Sequence, residues 1–224
     1  MKKLFGIIIL LFLTLPSYAY VIDLTKEGQL ENLVSTTGYK LLNANRIPYR
    51  ITFSINQSKN ANAASYYRSS SIVITKGMLQ SVNDENEIAA VLAHEISHAI
   101  DYKQGVFKGY FSFLTTGFKK DEYKADKRGV DYMVKAGYNP LGMIIILNKI
   151  IDDQRYDWHL THPLGSKRLA TIYEYIYTKY PQYLVQNEYK DNLIYQNFLL
   201  TSRDNRHKFE EKIKKGLTKK IKYQ

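Results

Sequence analysis

The chain has 224 residues, 45% of them hydrophobic, which is enough for one substantial core but short for two independent domains. It contains no cysteine, which excludes a disulfide framework and a lipid anchor attached through cysteine. More than half of the formal net charge of +11 lies in residues 201–224, without a zinc-finger, RNA-binding or helix-turn-helix signature, so nucleic acid is not an expected partner.

Residues 1–19 have the organisation of a cleavable export signal. Lys2 and Lys3 precede an apolar run at 4–15, and Pro16 and a small-residue ending at Ala19 follow it. The apolar run is too short to span a bilayer as a helix, and its flanks disfavour the alternative of a buried N-terminal helix. We therefore expect cleavage near Ala19 and an exported, periplasmic protein.

The segment that follows predicts helices and then short strands. Residues 23–45 have helical apolar spacing, which indicates one or two helices. Residues 49–56 alternate between apolar and polar side chains, as a half-buried strand does, and 71–75 forms a second short strand. Between them, residues 62–67 are a candidate edge strand.

The centre of the chain predicts a long helix. Asp84 and Glu87 fit a capping box, apolar residues then repeat at helical spacing, and Gly105 supplies a stop. The apolar stretch 107–118 is too short to cross a membrane, and we interpret it as a lid or a surface that touches lipid.

Three further helices are expected downstream, over about 119–136, 140–153 and 163–179. Gly137 and Pro140 mark the boundary between the first two, and Pro163 marks the start of the third. Beyond Pro181 the chain is polar and basic, and one or two peripheral helices are expected.

The segment His94-Glu95-Ile96-Ser97-His98 is an HExxH pattern within the central helix. Two histidines four residues apart lie on one helix face, so both imidazoles can reach the same Zn²⁺. Glu95 has the place of a general base that takes a proton from the attacking water. The alternative, two surface histidines beside a helical ion pair, is disfavoured by the small apolar residues around them.

A catalytic zinc needs a third protein ligand. Glu122 is favoured because it lies on the next predicted helix, and Asp126, one turn on, can accept a ring N–H from a ligating histidine. The alternative for both is an exposed helix face paired with neighbouring cations. The full set of candidates is Glu122, Asp126, His159, His162 and His207.

Several motifs together resemble a known family. Residues 121–129 and 136–140 resemble the E-x-x-A-D and A-G-Y-x-P signature of the HtpX and BepA-like zinc metallopeptidases, relatives of the type I CAAX prenyl proteases and mitochondrial Oma. The similarity covers about residues 40 to 175. It also includes an N-A-x-A/S edge strand, the zinc helix and an H-P-x(4)-R element, at 62–65, 94–98 and 162–169.

The chain departs from this family in three places. Ala64 stands where an aromatic residue is usual, and residues 60–63 offer a competing register for the edge strand. Of the family's transmembrane hairpins only 107–118 remains, and no C-terminal repeat domain is recognisable. The last two departures favour a soluble, minimal protease unit.

The resemblance implies one Zn²⁺ per chain, held by His94, His98 and Glu122, with Glu95 as general base. Its fold would be α+β: a mostly helical, gluzincin-like zincin domain with a small antiparallel β-sheet whose edge strand binds substrate. We expect a signal peptide at 1–19, a metallopeptidase domain at 20–180 and a basic, partly helical extension at 181–224.

The resemblance also implies roles around the metal. Asn62 would bind the substrate strand, unless it is only a turn residue. His162 would stabilise the oxyanion or contact the metal, unless it caps the next helix. Asp126 and Arg168 would support the ligands from behind, although an ordinary surface ion pair is the alternative for Arg168.

The expected function is hydrolysis of unfolded or misassembled envelope proteins. The competing hypothesis is a metal-stabilised, chaperone-like binding module with little turnover, and Glu95 favours the enzyme because a module has no use for a base. Residues 107–118 and the basic tail are candidate contacts with a membrane surface. The sequence does not indicate an oligomeric state.

Overall fold

The computed structural model describes residues 27–66, 68–105, 118–151, 165–216 and 221–223. In these ranges the chain forms three strands, β1 (Thr52–Asn56), β2 (Ala63–Tyr66) and β3 (Ser71–Thr75). It also forms nine helices there, α1 (Glu27–Ala44), α2 (Lys76–Ser81), α3 (Glu85–Lys103), α4 (Phe118–Lys135), α5 (Leu141–Ile151), α6 (Gly165–Lys179), α7 (Gln182–Val185), α8 (Leu193–Thr201) and α9 (Arg203–Lys214).

The three strands form one mixed sheet in the order β1-β3-β2. β2 and β3 pair antiparallel, with Ala63 opposite Ile74, whereas β1 and β3 run parallel, with Phe53 opposite Ile72. The expectation of an antiparallel sheet is therefore wrong for the β1–β3 pair. The physical reason is the strand order. The chain passes from β1 to the outer strand β2 and then turns back into β3, which lies between them and therefore runs in the same direction as β1.

β2 is an edge strand, as predicted, because among the described residues it pairs with β3 alone. The inner face of the sheet carries Phe53, Ala63, Ile72 and Ile74, all buried in the main hydrophobic core. Helix α1 packs beside β1 and helix α3 beside β2. The edge strand is thereby placed next to the helix that carries the HExxH pattern.

Helix α3 is the centre of the fold. The Asp84 carboxylate accepts a hydrogen bond from the backbone N–H of Glu87 at 2.9 Å, and the Glu87 side chain accepts one from Asn83 at 3.2 Å, so the predicted N-terminal cap is present. Every residue from Glu87 to Asp101 is buried. A helix buried on all sides lies within a core, and α3 contacts α1, α4, α5 and the sheet.

The helices after α3 agree with the sequence prediction in the residues described. Gly137 has a φ of +77° just beyond α4, where glycine is favoured because it lacks a side chain. The Asn139 side chain then accepts a hydrogen bond from Leu141 at 3.0 Å and begins α5. The predicted lid, except for Phe118, lies outside the described residues. None of the described helices is both long enough and apolar enough to cross a lipid bilayer.

The C-terminal helices are not peripheral, which corrects the sequence prediction. Tyr195, Phe198 and Phe209 are buried, and the Phe198 ring lies 5.8 Å from that of Tyr173 on α6. The Phe209 ring meets Tyr177, also on α6, edge to face at 5.1 Å. Although this region is basic in composition, its buried aromatic residues form an apolar stripe that extends the core over α6.

Candidate metal centre

His94, His98 and Glu122 converge in the core between α3 and α4. The two Nε2 atoms of the histidines lie 3.0 Å apart. The Glu122 carboxylate places Oε2 at 3.4 Å from Nε2 of His94 and Oε1 at 3.2 Å from Nε2 of His98. All three residues are buried, and one candidate ligand atom from each lies within 4.8 Å of the others.

Small residues allow α4 to approach α3 this closely. Ala125 is buried, and a Cβ atom added to Gly129 would lie 3.3 Å from the backbone nitrogen of His94 and 2.8 Å from Cε of Met143. We call Ala125 and Gly129 the small-residue seam. It lies three and seven residues after Glu122, so the seam and the carboxylate share one side of α4.

Asp126 lies behind the histidine. Its Oδ1 atom is 3.0 Å from Nδ1 of His94, which favours a proton on Nδ1 and turns Nε2 toward Glu122 and His98. Arg168 on α6 donates to both oxygens of Asp126, from Nε at 2.8 Å and from Nη2 at 2.6 Å. Its Nη1 lies 3.0 Å from Oε2 of Glu122. The orientation of both acidic residues is therefore fixed.

Charge compensation favours the ionised forms of Asp126, His94 and Arg168 in this buried cluster. Burial raises the pKa of Asp126, but the charge and hydrogen bonds of Arg168 lower it by more, so the net shift of this pKa is downward. Burial lowers the pKa of His94, whereas its hydrogen bonds with Asp126 and Glu122 raise it, to about 9. Burial likewise opposes the charge of Arg168, but the carboxylates around it raise its pKa.

The donor set fits a divalent transition metal. Two imidazole nitrogens and one carboxylate are ligands that Zn²⁺ prefers, and catalytic zinc sites use three protein ligands. The second contact of His94, to a carboxylate, is the usual companion of a metal-ligating histidine. His94, His98 and Glu122 could therefore hold a metal ion in an arrangement compatible with a zincin.

Glu95 lies beside this cluster without belonging to it. It is buried on α3 and directly follows His94 in the sequence. Burial is the main cause of the raised pKa of Tyr102, and the nearby charge of Glu95 adds to it. The pKa of Arg168 is raised mainly by Asp126 and Glu122, and Glu95 makes a smaller contribution. Its position next to the ligands suits a proton acceptor.

Asn62 lies immediately before the edge strand. Its backbone N–H donates to Oγ1 of Thr75 at 2.8 Å, and its side-chain oxygen accepts from Ala63 at 2.9 Å. The strand comprises Ala63–Tyr66, so Asn62 is the residue that precedes it.

The other histidine candidates do not join the cluster. His207 is exposed on α9 and is not part of the group formed by His94, His98 and Glu122. His159 and His162 lie outside the described residues.

Sequence reasoning missed one buried acidic residue near the ligands. Asp101 lies three residues after His98. Its Oδ1 atom accepts hydrogen bonds from Nζ of Lys124 and Nη1 of Arg128 on α4, both at 2.9 Å. The available signal was an acidic residue at helical spacing from His98, on a helix predicted to be buried.

Comparison with known proteins gives a consistent result. The beta-barrel assembly-enhancing protease of Yersinia pestis is 26% identical in an alignment of 184 positions that covers 63% of this chain and 38% of that protein. The protein of the same name from Escherichia coli K12 is 23% identical in an alignment of 190 positions that covers 66% of this chain and 39% of that protein. The chain thus spans about two fifths of the relatives it matches.

The family itself is shown by a longer match. Residues 25–105 and 104–176 match the model of peptidase family M48. This confirms the resemblance to HtpX and BepA-like enzymes that the motifs indicated. Because the matched segments cover well over half of the 224 residues, the chain belongs to peptidase family M48, a family of metallopeptidases.

Proposed function

We propose that this protein is an exported zinc endopeptidase with one Zn²⁺ held by His94, His98 and Glu122 and with Glu95 as its general base. The observation that supports this most is the convergence of two imidazole nitrogens and a carboxylate in the core, next to a second buried carboxylate. A structural metal site would need the ligands but not Glu95.

The chemistry divides between the ion and the side chains. Bound zinc would supply Lewis acidity, which polarises the peptide carbonyl and makes water more acidic. Glu95 would take the proton of the attacking water and deliver it to the leaving amine. Asp126 would hold the Nδ1 proton of His94, and Arg168 would keep Asp126 ionised and hold Glu122 in place.

The edge strand supplies a place for an extended substrate. The backbone oxygen of Asn62 accepts from Thr75 of β3 at 2.9 Å, so strand alternation turns the N–H and C=O groups of Ala63 and Ser65 away from the sheet. A peptide adding to β2 would pair with the C=O of Ala63 and with the N–H and C=O of Ser65, because the N–H of Ala63 donates to the side-chain oxygen of Asn62. Because such pairing reads backbone rather than side chains, broad specificity for unfolded segments is expected.

The location and the substrates are further parts of this proposal. Residues 1–19 have the pattern of an export signal, which supports a periplasmic protein with a peptidase domain at 20–180 and an extension at 181–224. The relatives are named for enhancing β-barrel assembly, which supports unfolded or misassembled envelope proteins as substrates. His162 would stabilise the oxyanion or contact the metal.

The test is a Glu95→Gln variant assayed on an unfolded protein such as reduced, alkylated casein. Glutamine keeps the shape but cannot accept the proton, so we expect hydrolysis to fall by about a hundred-fold or more while zinc content stays the same. Glu87→Gln is the matched control, because Glu87 is another buried carboxylate of α3 that pairs with Lys149 of α5. Wild-type activity in Glu95→Gln would overturn the catalytic role and favour a binding module.

A further inference from the structure

We propose that Asp101 is a positioning residue for the metal centre: by pairing with Lys124 and Arg128 it fixes the register in which α4 presents Glu122 to the histidines of α3. This role presupposes the zinc site proposed above. It assigns a function to a buried carboxylate that neither binds the metal nor takes part in proton transfer.

The contacts join the two helices one turn beyond the ligands. Asp101 is 1% exposed, and its Oδ1 accepts from Nζ of Lys124 and from Nη1 of Arg128, both at 2.9 Å. The same Nη1 also donates to the backbone oxygen of Ser97 at 3.3 Å. Arg128 therefore contacts the HExxH helix at two points, one on each side of His98.

Helical geometry explains why this pairing controls the ligand. Lys124 and Arg128 are one turn apart on α4. Lys124 lies about 200° around the helix from Glu122, and Arg128 lies about 200° around it from Asp126. The small-residue seam runs between these two faces. Arg168 binds the carboxylates on one flank of the seam, and Asp101 binds the cations on the other. Ion pairs on both flanks oppose a rotation of α4 about its own axis.

The same contacts oppose sliding. Moving α4 by one residue along α3 shifts every side chain by about 1.5 Å, which exceeds the tolerance of a charged hydrogen bond. The carboxylate of Asp101 would then be left buried and unpaired, which is costly. Glu122 would move by the same distance from His94 and His98, so one register satisfies both the ion pair and the ligand set.

A second buried pair on α3 shows what a purely structural contact looks like. Glu87 accepts from Nζ of Lys149 at 2.6 Å, but Lys149 belongs to α5, which carries no proposed ligand. Glu87 also lies about two turns before His94. Loss of this pair should weaken the fold without moving Glu122.

The experiment compares Asp101→Asn with Glu87→Gln. Each replaces one buried carboxylate of α3 with an amide and keeps the side-chain shape. For each full-length protein we would measure the zinc Kd by competition with a chromophoric chelator, and the Tm after chelation. We expect both variants to have a lower Tm, and only Asp101→Asn to bind zinc more weakly, by about ten-fold to a hundred-fold.

A milder variant protects the test against misfolding. Arg128→Gln removes one of the two cations, at a position that is only 22% exposed, and leaves Lys124 paired. We expect its zinc Kd to rise by about three-fold to ten-fold, and the absorption spectrum of its cobalt-substituted form to differ from that of the wild type.

The outcomes separate the two proposals. Wild-type zinc affinity in both Asp101→Asn and Arg128→Gln, with zinc bound normally by the wild type, would overturn the positioning role alone. An equal loss of affinity in Glu87→Gln would also overturn it, because general destabilisation would then suffice. A wild-type protein that binds no zinc would instead overturn the proposed function.

Discussion

The Nδ1 atom of His94 lies 3.0 Å from Oδ1 of Asp126, which places a buried carboxylate directly behind a proposed metal ligand. A carboxylate in this position fixes the tautomer and makes the other ring nitrogen a better ligand. We expect Asp126→Asn to weaken zinc binding by about ten-fold to a hundred-fold, measured by chelator competition. Unchanged affinity would show that the ligand is oriented without Asp126.

Arg168 should matter most to the protein without bound metal. It is 1% exposed, and removing it leaves the carboxylates of Asp126 and Glu122 close together in the core. We expect Arg168→Met to lower the free energy of unfolding by about 3–5 kcal/mol in the presence of chelator. Saturating zinc should restore part of the loss, because it supplies the missing positive charge.

Urea unfolding with chelator and with zinc measures both effects of Arg168→Met. Lys179→Met is the control, since it breaks a half-exposed pair with Asp131 and should cost less than about 1 kcal/mol. An Arg168→Met loss that is the same with and without zinc would contradict the electrostatic role.

The small-residue seam predicts a glycine substitution with two effects. A Cβ atom at Gly129 would lie 3.3 Å from the His94 backbone, so Gly129→Ala should push α4 away from α3. We expect a lower Tm and a weaker zinc affinity, although alanine is the better helix former by about 1 kcal/mol. Gly28→Ala on α1 has nothing within 4 Å and should leave the Tm unchanged or raise it.

Protons and zinc should compete at His94. Its hydrogen bonds to acidic partners outweigh burial and raise its pKa from the ordinary value of 6.5 to about 9. Without metal, the protonated ring therefore contributes stability that is fully present below about pH 6.5 and is lost as the pH rises through about 9. Zinc must displace this proton.

We therefore expect zinc binding at pH 7 to release about one proton from His94, and zinc affinity to rise between pH 7 and 9. Calorimetric titration in two buffers of different ionisation enthalpy measures the proton release directly. Identical binding enthalpies in the two buffers would contradict a protonated His94.

Local sequence signals predicted the part of the fold that carries the ligands. Asp84 caps α3 and the chain turns at Gly105, so both ends of the helix were marked by residues that act within one turn. The spacing of His94 and His98 then places both rings on one side of that helix, and the structure brings Glu122 to them.

Contacts between elements were harder to predict. The alternation of Phe53 and Ile55 suits a parallel or an antiparallel neighbour equally well, so it could not reveal that β1 runs parallel to β3. The charges of α4 likewise offered several pairings, and only the tertiary placement of Asp101 selects Lys124 and Arg128. In the basic C-terminal region, the spacing of the aromatic residues alone did not predict that they are buried, because their burial depends on contacts with Tyr173 and Tyr177 of α6.

The central claim is that His94, His98 and Glu122 hold one zinc ion. The most direct measurement is elemental analysis of chelator-free protein, comparing the wild type with a His94→Ala/His98→Ala double variant. We predict one zinc per wild-type chain, little or none in the double variant, and a lower Tm whenever the metal is removed. A wild-type protein without zinc, or a double variant that retains the full zinc content, would contradict this account.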